Sequence, residues 1–371
     1  MPKVLHVFEP ADGGVAEHVR LQAHGAVDLG WEAACVGPEH GEFVDAIAAG
    51  GTELWRLAFG PGLGRPLADM RLVGPLVRIM RTSRADLVHT HSTKAGIAGR
   101  LAARVAGLPV VHTPHAWPYT GPIGRPRRAF AIAVERSMNP LTADVICVSE
   151  HERRAARHAG FAPERVHLVH NGCPPCAPAE PAAELVALAA AGGVVVTSLS
   201  TFRAFKRVDV FVAAAPRILA AAPAARVAVV GSGPLESEVR EQARRLGLLD
   251  DPRFAFVPFA PCVARYLHAS DVLVNSSDSE SLSVGLLEAL ACGVPQVATD
   301  VGGSGEVVTP ETGALVPPGD PAALAARVVE LLADAPRRAA MAAASRARHR
   351  RFFGVERMVS ETVDVYRGVL G

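Results

Sequence analysis

Short aliphatic and β-branched runs alternate along the chain with longer stretches whose apolar positions recur every three to four residues. Runs that are apolar throughout suit strands buried on both faces of a parallel sheet, and the helical stretches between them supply the crossovers. In the first half the pattern predicts strands at Val4–Phe8, Ala33–Gly37, Leu54–Leu57, Leu87–Thr90, Val110–Thr113, Val145–Val148 and Val166–Val169, separated by helices such as Val15–Leu29, Leu67–Arg81 and Ala95–Ala106. Around Asn171 the pattern stops at "NGCPPCAPAEPAAE", whose density of proline and alanine makes it the most linker-like stretch of the chain. A second strand-first series follows at Val194–Leu199, Val227–Val230, Phe254–Val257, Val272–Asn275 and Gln296–Ala298, with helices over Val208–Ala221, Leu235–Leu246, Val284–Ala291 and Ala322–Leu332. The closing "RFFGVERMVSETVDVYRGVL" reads as one amphipathic helix with Val355, Met358, Val359, Val363 and Tyr366 on its apolar face. The fold class is therefore α/β: two doubly wound Rossmann-like domains, residues 1–178 and 179–350, and a terminal helix over 351–371.

Size and composition agree with that division and exclude several classes. A chain of 371 residues exceeds a usual single core, and 38 basic against 37 acidic side chains leave no overall bias toward nucleic acid. The longest apolar stretch, Leu185 to Leu199, is interrupted by Gly192-Gly193 and is too short to span a membrane. "MPKVLHVFEP" lacks the apolar core of a secretion signal, so the expected location is cytoplasmic. The six cysteines are too scattered for a disulfide framework, and Cys173 and Cys176, without a second pair at zinc spacing, read as small linker residues.

Ligands of open α/β sheets bind beyond the carboxyl ends of the strands, which directs attention to the strand-to-helix turns. Gly13 and Gly14 close the first such turn, where glycine lets a backbone approach a phosphate or sugar; a plain tight turn explains them equally well. Gly231 and Gly233 follow another strand, but Pro234 and the lack of a third glycine make a poor nicotinamide-dinucleotide fingerprint. The most informative stretch is "SDSESLSVGLLEALACGVPQVAT". Ser281 or Ser283 can cap a helix that runs to about Ala291 and is ended by Gly293 and Pro295. Glu280 then precedes the helix and Glu288 lies inside it, flanking an N-terminus at Ser283 and Val284 that favours an anion such as diphosphate. Carboxylates only accept hydrogen bonds, so they suit vicinal hydroxyls, on a sugar at one end and a ribose at the other. Sugar, diphosphate and ribose in a row describe a nucleotide sugar.

The same residues carry a resemblance. Glu280, seven residues, Glu288 and then "ALACGVPQVATDVGGSGEVV" resemble the donor signature of retaining glycosyltransferases of family 4, which have the GT-B fold. "ADLVHTHSTKAGIAGRLAARVAGLPVVHTPHAW", "ADVICVSEHERRAAR", "VHLVHNG", "FKRVDVFVAAAP" and "VVGSGPLESEVREQARRLGL" extend it, in the family's order, over nearly the whole chain. It implies an acceptor-side domain and a nucleotide-sugar domain facing across a cleft, with the last helix returning to the first domain. It implies further that Glu280 contacts the donor sugar, Glu288 the ribose, Arg203 and Lys206 the diphosphate, and that His115 faces the sugar. Where the family carries an aromatic residue and a glycine after the first glutamate, Leu282 and Ser283 stand, and Thr201 occupies a position commonly held by arginine. The implied reaction is metal-independent, retaining transfer of a hexosyl or N-acetylhexosaminyl group, first of all from a uridine diphosphate sugar. The acceptor is a hydroxyl of a small molecule, a glycan or a lipid-linked glycan. An epimerase of similar fold and a silent nucleotide-sugar binding protein are the alternatives.

Two further clusters bear on partners. His89, His91, His112 and His115 stand on what the pattern makes adjacent strands, but no carboxylate accompanies them, and the expectation is that no metal or other cofactor is bound. Trp117 and Tyr119 precede Arg125, Arg127 and Arg128 in "HAWPYTGPIGRPRRAF", an acceptor-side group that suits either a peripheral membrane contact or an ordinary solvated loop leading into a helix that ends near Leu141.

Overall fold

A computed structural model describes residues 1–11, 13–60, 70–190 and 192–371. The first unit comprises Met1–Gly172 and Val355–Gly371, and the second Cys173–Gly354. The division thus falls inside the proline- and alanine-rich stretch, six residues before the expected boundary.

In the first unit, seven strands form one sheet in the order β3-β2-β1-β4-β5-β6-β7. They are β1 (Lys3–Val7), β2 (Glu32–Gly37), β3 (Glu53–Arg56), β4 (Leu87–His91), β5 (Val110–Thr113), β6 (Asp144–Cys147) and β7 (Val166–Leu168). Every pairing is parallel. The strand order reverses between β1 and β4, the point at which doubly wound sheets open a ligand crevice. The second unit repeats the plan with β8 (Val194–Leu199), β9 (Ala225–Val230), β10 (Phe254–Val257), β11 (Val272–Asn275), β12 (Gln296–Thr299) and β13 (Gly313–Val316) in the parallel order β10-β9-β8-β11-β12-β13. Its switch point lies between β8 and β11.

The elements differ from the expected pattern in several places, the main ones as follows. β13 is an edge strand with only its first and last residues buried, so it lacks the continuous apolar run by which the others are recognised. The helix Ala335–Phe352 buries only Met341, Ser345 and His349, too thin a stripe to show as amphipathic among its alanines and arginines. Its N-terminus is marked instead by Asp334, whose carboxylate accepts from the Arg337 N–H. The expected single closing helix is therefore two: Phe352 ends one, Phe353 and Gly354 break it, and Val355–Leu370 forms the other. Within the first unit that last helix packs on Gly14–Asp28, where the Gln22 amide donates to Thr362 Oγ1 at 2.8 Å, and buries Met358, Val359, Val363 and Tyr366 with Val4, Leu87 and Val111. The helix expected over Leu67–Arg81 begins at Val73 after a 3-10 turn at Met70–Leu72; positions 67–69 lie outside the described residues.

Cys176 is not a lone linker thiol: it is disulfide-bonded to Cys292, the last residue of the helix Val284–Cys292. Spacing offers no hint of a partner 116 residues away. Among the described residues no helix is long and apolar enough to cross a membrane.

Candidate functional site

In the second unit the loops after β8 and β11, the two strands at the switch point, are fastened to each other. The Arg207 guanidinium donates to Asp278 Oδ2 at 2.7 Å and to Asp209 Oδ1 at 3.0 Å, Ser276 Oγ donates to the Arg207 carbonyl at 2.8 Å, and the Asp278 N–H donates to the Phe205 carbonyl at 2.8 Å. Arg207 has a left-handed backbone (φ 48°), a conformation that costs a non-glycine residue about 1 kcal/mol or more and persists where surrounding bonds over-determine it. Hydrogen bonds to Asp209 and then Asp278 push its guanidinium pKa up, so the cross-link stays charged. The result is a fixed platform for Lys206, whose ammonium donates to Glu280 Oε1 at 2.6 Å. Glu280 also accepts from Ser277 Oγ at 2.8 Å and lies within 3.4 Å of Asn275 Nδ2. Lys206 is 21% and Glu280 9% exposed, so both are oriented yet reachable.

Glycine at two turns permits this packing. A Cβ on Gly231 (φ 140°) would come within 1.9 Å of the Ser200 carbonyl oxygen, and one on Gly302 (φ 55°) within 1.5 Å of the Glu280 carbonyl oxygen. Gly231, expected to approach the donor, here lets the turn after β9 lie against the loop that leads to Lys206. Val284 begins the helix that carries Glu288, and Glu288 is half-buried. Ser283 occupies the N-cap position, but its hydroxyl accepts from Asn275 Nδ2 at 3.2 Å and does not cap the helix. Arg203 is exposed on the same loop as Lys206.

The corresponding place in the first unit is built from imidazoles. Gly13 is the N-cap of the helix that starts at Gly14, and His18 lies in its second turn. His91 ends β4 and His115 follows β5; a file of hydrogen bonds runs from His6 Nδ1 to His91 Nε2 at 3.0 Å and from His91 Nδ1 to His115 Nε2 at 3.1 Å. His89 is satisfied on both sides, by Tyr366 Oη at 2.6 Å and Thr113 Oγ1 at 2.8 Å. His112 stands apart, with its Nδ1 on Thr90 Oγ1 at 2.9 Å. Burial lowers the pKa of every one of these rings, to about 3 for His6 and about 4 for His18, and neighbouring imidazoles lower His89 and His91 further.

His115 (φ 49°) and Ala116 (φ 118°) both have positive φ. Glu152 holds this turn: one carboxylate oxygen accepts from the Ala116 N–H at 2.7 Å and the other from the Val148 N–H at 3.0 Å, while its own N–H donates to Ser149 Oγ at 3.2 Å. Ser149 and Glu152 have the S-x-x-E spacing of a capping box, the one signal by which Glu152 was discoverable in advance.

The acceptor-side aromatics are corrected. Trp117 is 1% and Tyr119 4% exposed; the indole N–H donates to the Glu152 carbonyl and the phenol to that of Ala155, and both rings pack with Phe161 and Val145. They are core residues of the first unit, and a membrane or acceptor cannot reach them. Arg125, Arg127 and Arg128 are exposed at the start of the helix Arg125–Met138 with Phe130, itself 69% exposed.

Residues 193–334 match the model for glycosyl transferases group 1, and residues 13–172 that for the glycosyl transferase 4-like domain. The D-inositol 3-phosphate glycosyltransferase 2 of Catenulispora acidiphila is 32% identical over 309 residues, 76% of this chain and 70% of that one. A GDP-mannose-dependent monoacylated alpha-(1-6)-phosphatidylinositol monomannoside mannosyltransferase of Corynebacterium glutamicum is 38% identical over 38% of each chain. In fold, the crystal structure of Anabaena HepE in complex with UDP and glucose is similar with a TM-score of 0.84 at 22% identity, over 99% of this chain and 100% of that one.

Proposed function

Because the chain belongs to the group 1 glycosyl transferases, with two Rossmann-like domains of GT-B type, we propose that it is a retaining hexosyl- or N-acetylhexosaminyl-transferase. Its proposed donor is a uridine diphosphate sugar, its acceptor a hydroxyl, and its mechanism metal-independent. The observation that carries this reading is the Lys206–Glu280 pair at the switch point of the second unit. A cation for phosphate and an acceptor for hydroxyls stand side by side, as the covalently joined phosphate and sugar do in a nucleotide sugar.

In this reading Lys206 and Arg203 take the diphosphate together with the N–H groups at Ser283 and Val284, which the Ser283 hydroxyl does not cap. Glu280 orients the sugar hydroxyls, Glu288 the ribose, and His115 faces the sugar. The bond from the anomeric carbon to the diphosphate breaks, and the bond to the acceptor oxygen forms on the same face. The acceptor's proton passes to the departing phosphate oxygen. Negative charge grows on the diphosphate in the transition state, and preorganised cations and N–H donors stabilise that charge without reorganising. Gly13, Gly14 and Gly231 serve as close-approach positions of the turns. Arg125 and its neighbours are the remaining acceptor-side candidates, and the names of the inositol-phosphate relatives make a phosphorylated polyol or lipid the first acceptor to try.

The test has two arms. UDP-glucose, other UDP-sugars and GDP-mannose are each titrated in a thermal melt, where a ligand at a hundred times its Kd adds about 2.7 kcal/mol. The selected donor is then incubated with and without acceptors, and the product's anomeric configuration is read by NMR. Retained configuration supports the proposal. Inversion, or conversion of the donor to its epimer without acceptor, overturns it.

A further inference from the structure

The first unit's switch point holds more imidazole than the transfer reaction uses. His18, His91 and His115 each offer one ring nitrogen, and the three lie within 4.8 Å of one another. His91 Nδ1 and His115 Nε2 are 3.1 Å apart. Nitrogens about 2.0–2.1 Å from a zinc ion at the corners of a tetrahedron stand about 3.3 Å from each other, so this pair is already at ligand spacing. The His18 ring meets that of His115 edge-on, with centroids 4.6 Å apart. His18 is only 5% exposed, and Asn171 is the side chain that reaches its ring, which leaves at least one ring nitrogen unanswered. Native interiors rarely leave a buried imidazole nitrogen unanswered, and each such group costs about 1–3 kcal/mol.

We propose that His18, His91 and His115 form a three-histidine site for a borderline divalent cation, Zn2+ first among them, with the fourth position open. The donor set argues for the metal: imidazole alone, without carboxylate or carbonyl, selects zinc, cobalt or nickel over magnesium and calcium. His6 supplies the outer partner that a metal-bound imidazole commonly has, since its Nδ1 lies 3.0 Å from His91 Nε2, the nitrogen that faces away from the metal. A second triad, His6, His89 and His91, has comparable spacing but is less suitable, because both nitrogens of His89 are committed to Tyr366 and Thr113. The set also differs from the strand-based cluster legible in the sequence: His89 and His112 drop out, and His18 enters from a helix. Where the transfer reading holds, metal binding withdraws His115 from the donor sugar and so inhibits transfer, a consequence that rests on that reading while the site itself does not.

The experiment uses the full chain without an affinity tag, stripped with chelator and dialysed against Zn2+ alone or Co2+ alone. The expected result is one Zn2+ retained per chain and, with Co2+, the intense visible absorption of a four-coordinate ion. His18→Gln and His115→Gln each weaken Zn2+ binding about tenfold or more, while His158→Gln, at an exposed position, leaves it unchanged. Tryptophan fluorescence checks that each variant is folded. His18→Gln is the decisive variant, since His91 and His115 already bond each other without a metal and His18 bonds neither. Failure to retain metal, the weak spectrum of six-coordinate cobalt, or retention of Zn2+ by folded His18→Gln or His115→Gln as tight as by the unaltered chain would each overturn the site. Inhibition of transfer by Zn2+ is measured separately, so that a failed transfer reading does not decide the metal question.

Discussion

Beyond β1 and β4 of the first unit the chain presents buried, neutral imidazoles; beyond β8 and β11 of the second it presents lysine, arginine and carboxylates at the edge of solvent. The backbone frame is the same in both, a parallel sheet whose strand order reverses at that point. What differs is how each loop pair is held. In the second unit ionic cross-links do so, with Arg207 bridging Asp209 and Asp278. In the first, an uncharged bond does so, from Ser92 Oγ after β4 to the Glu9 carbonyl after β1, and the rings beside it stay neutral. A shared topology thus fixes where a ligand can sit, and loop residue types decide whether the place suits an anion or a neutral group or metal.

Acid should separate the two units most strongly. The imidazoles of the first unit have folded pKa values below the unfolded value, so the unfolded chain binds protons that the folded one refuses. Their contribution is whole above about pH 6.5 and shrinks by about 1.4 kcal/mol per ring for each pH unit below it. The loss levels off near the folded values, about 3 for His6 and about 4 for His18. In the second unit, Asp251 is held below its ordinary range by hydrogen bonds from Arg253, and Glu330 by Arg337 and Arg327. Those contributions are present above about pH 4 and fall only below it. All three tryptophans, Trp31, Trp55 and Trp117, belong to the first unit. On acidification their fluorescence should therefore change at a higher pH than the remaining part of the far-ultraviolet circular dichroism; coincident transitions would refute the contrast.

Next in size is Lys206→Ala. Removing a cation that meets developing charge should raise the barrier by about 2–4 kcal/mol, a loss of about thirtyfold to a thousandfold in turnover at saturating donor. Near wild-type turnover would show that the charged switch point is not where the diphosphate leaves.

The smallest expected effects divide the glutamates. Glu288→Gln exchanges an acceptor oxygen for a donor and should weaken free uridine diphosphate by about 1 kcal/mol, roughly fivefold. Glu280→Gln should spare the free nucleotide and weaken the nucleotide sugar instead. Calorimetry with both ligands decides, and equal losses of free nucleotide in the two variants would remove the division of labour.

The strand positions were largely readable because parallel strands buried on both faces are short, apolar and closely bounded. Only β13, an edge strand with two buried residues, escaped. The charged site was readable for a related reason: Lys206, Glu280 and Glu288 lie in two short stretches that follow strands. The histidine site was not, since His6, His18, His91 and His115 come from four elements and no spacing records that β1 and β4 are neighbours. Trp117 and Tyr119 misled because aromatics beside arginines look like a surface; their burial depends on the helix Glu150–His158, whose carbonyls take the indole and phenol protons.

The first unit is discontinuous in sequence, and this bears on how the chain is made. A ribosome delivers residues 173–354 as one uninterrupted piece, so the second sheet can close while synthesis is still under way. The first sheet, begun earlier, must wait: Thr362, which bonds Gln22, and Tyr366, which bonds His89, emerge only after the whole second unit. Until they arrive His89 lacks its phenol partner and the apolar faces of Val4, Leu87 and Val111 lack their cover. The half of the molecule translated first is the half that reaches its native state last, and in that interval its open flank is the surface most in need of a chaperone.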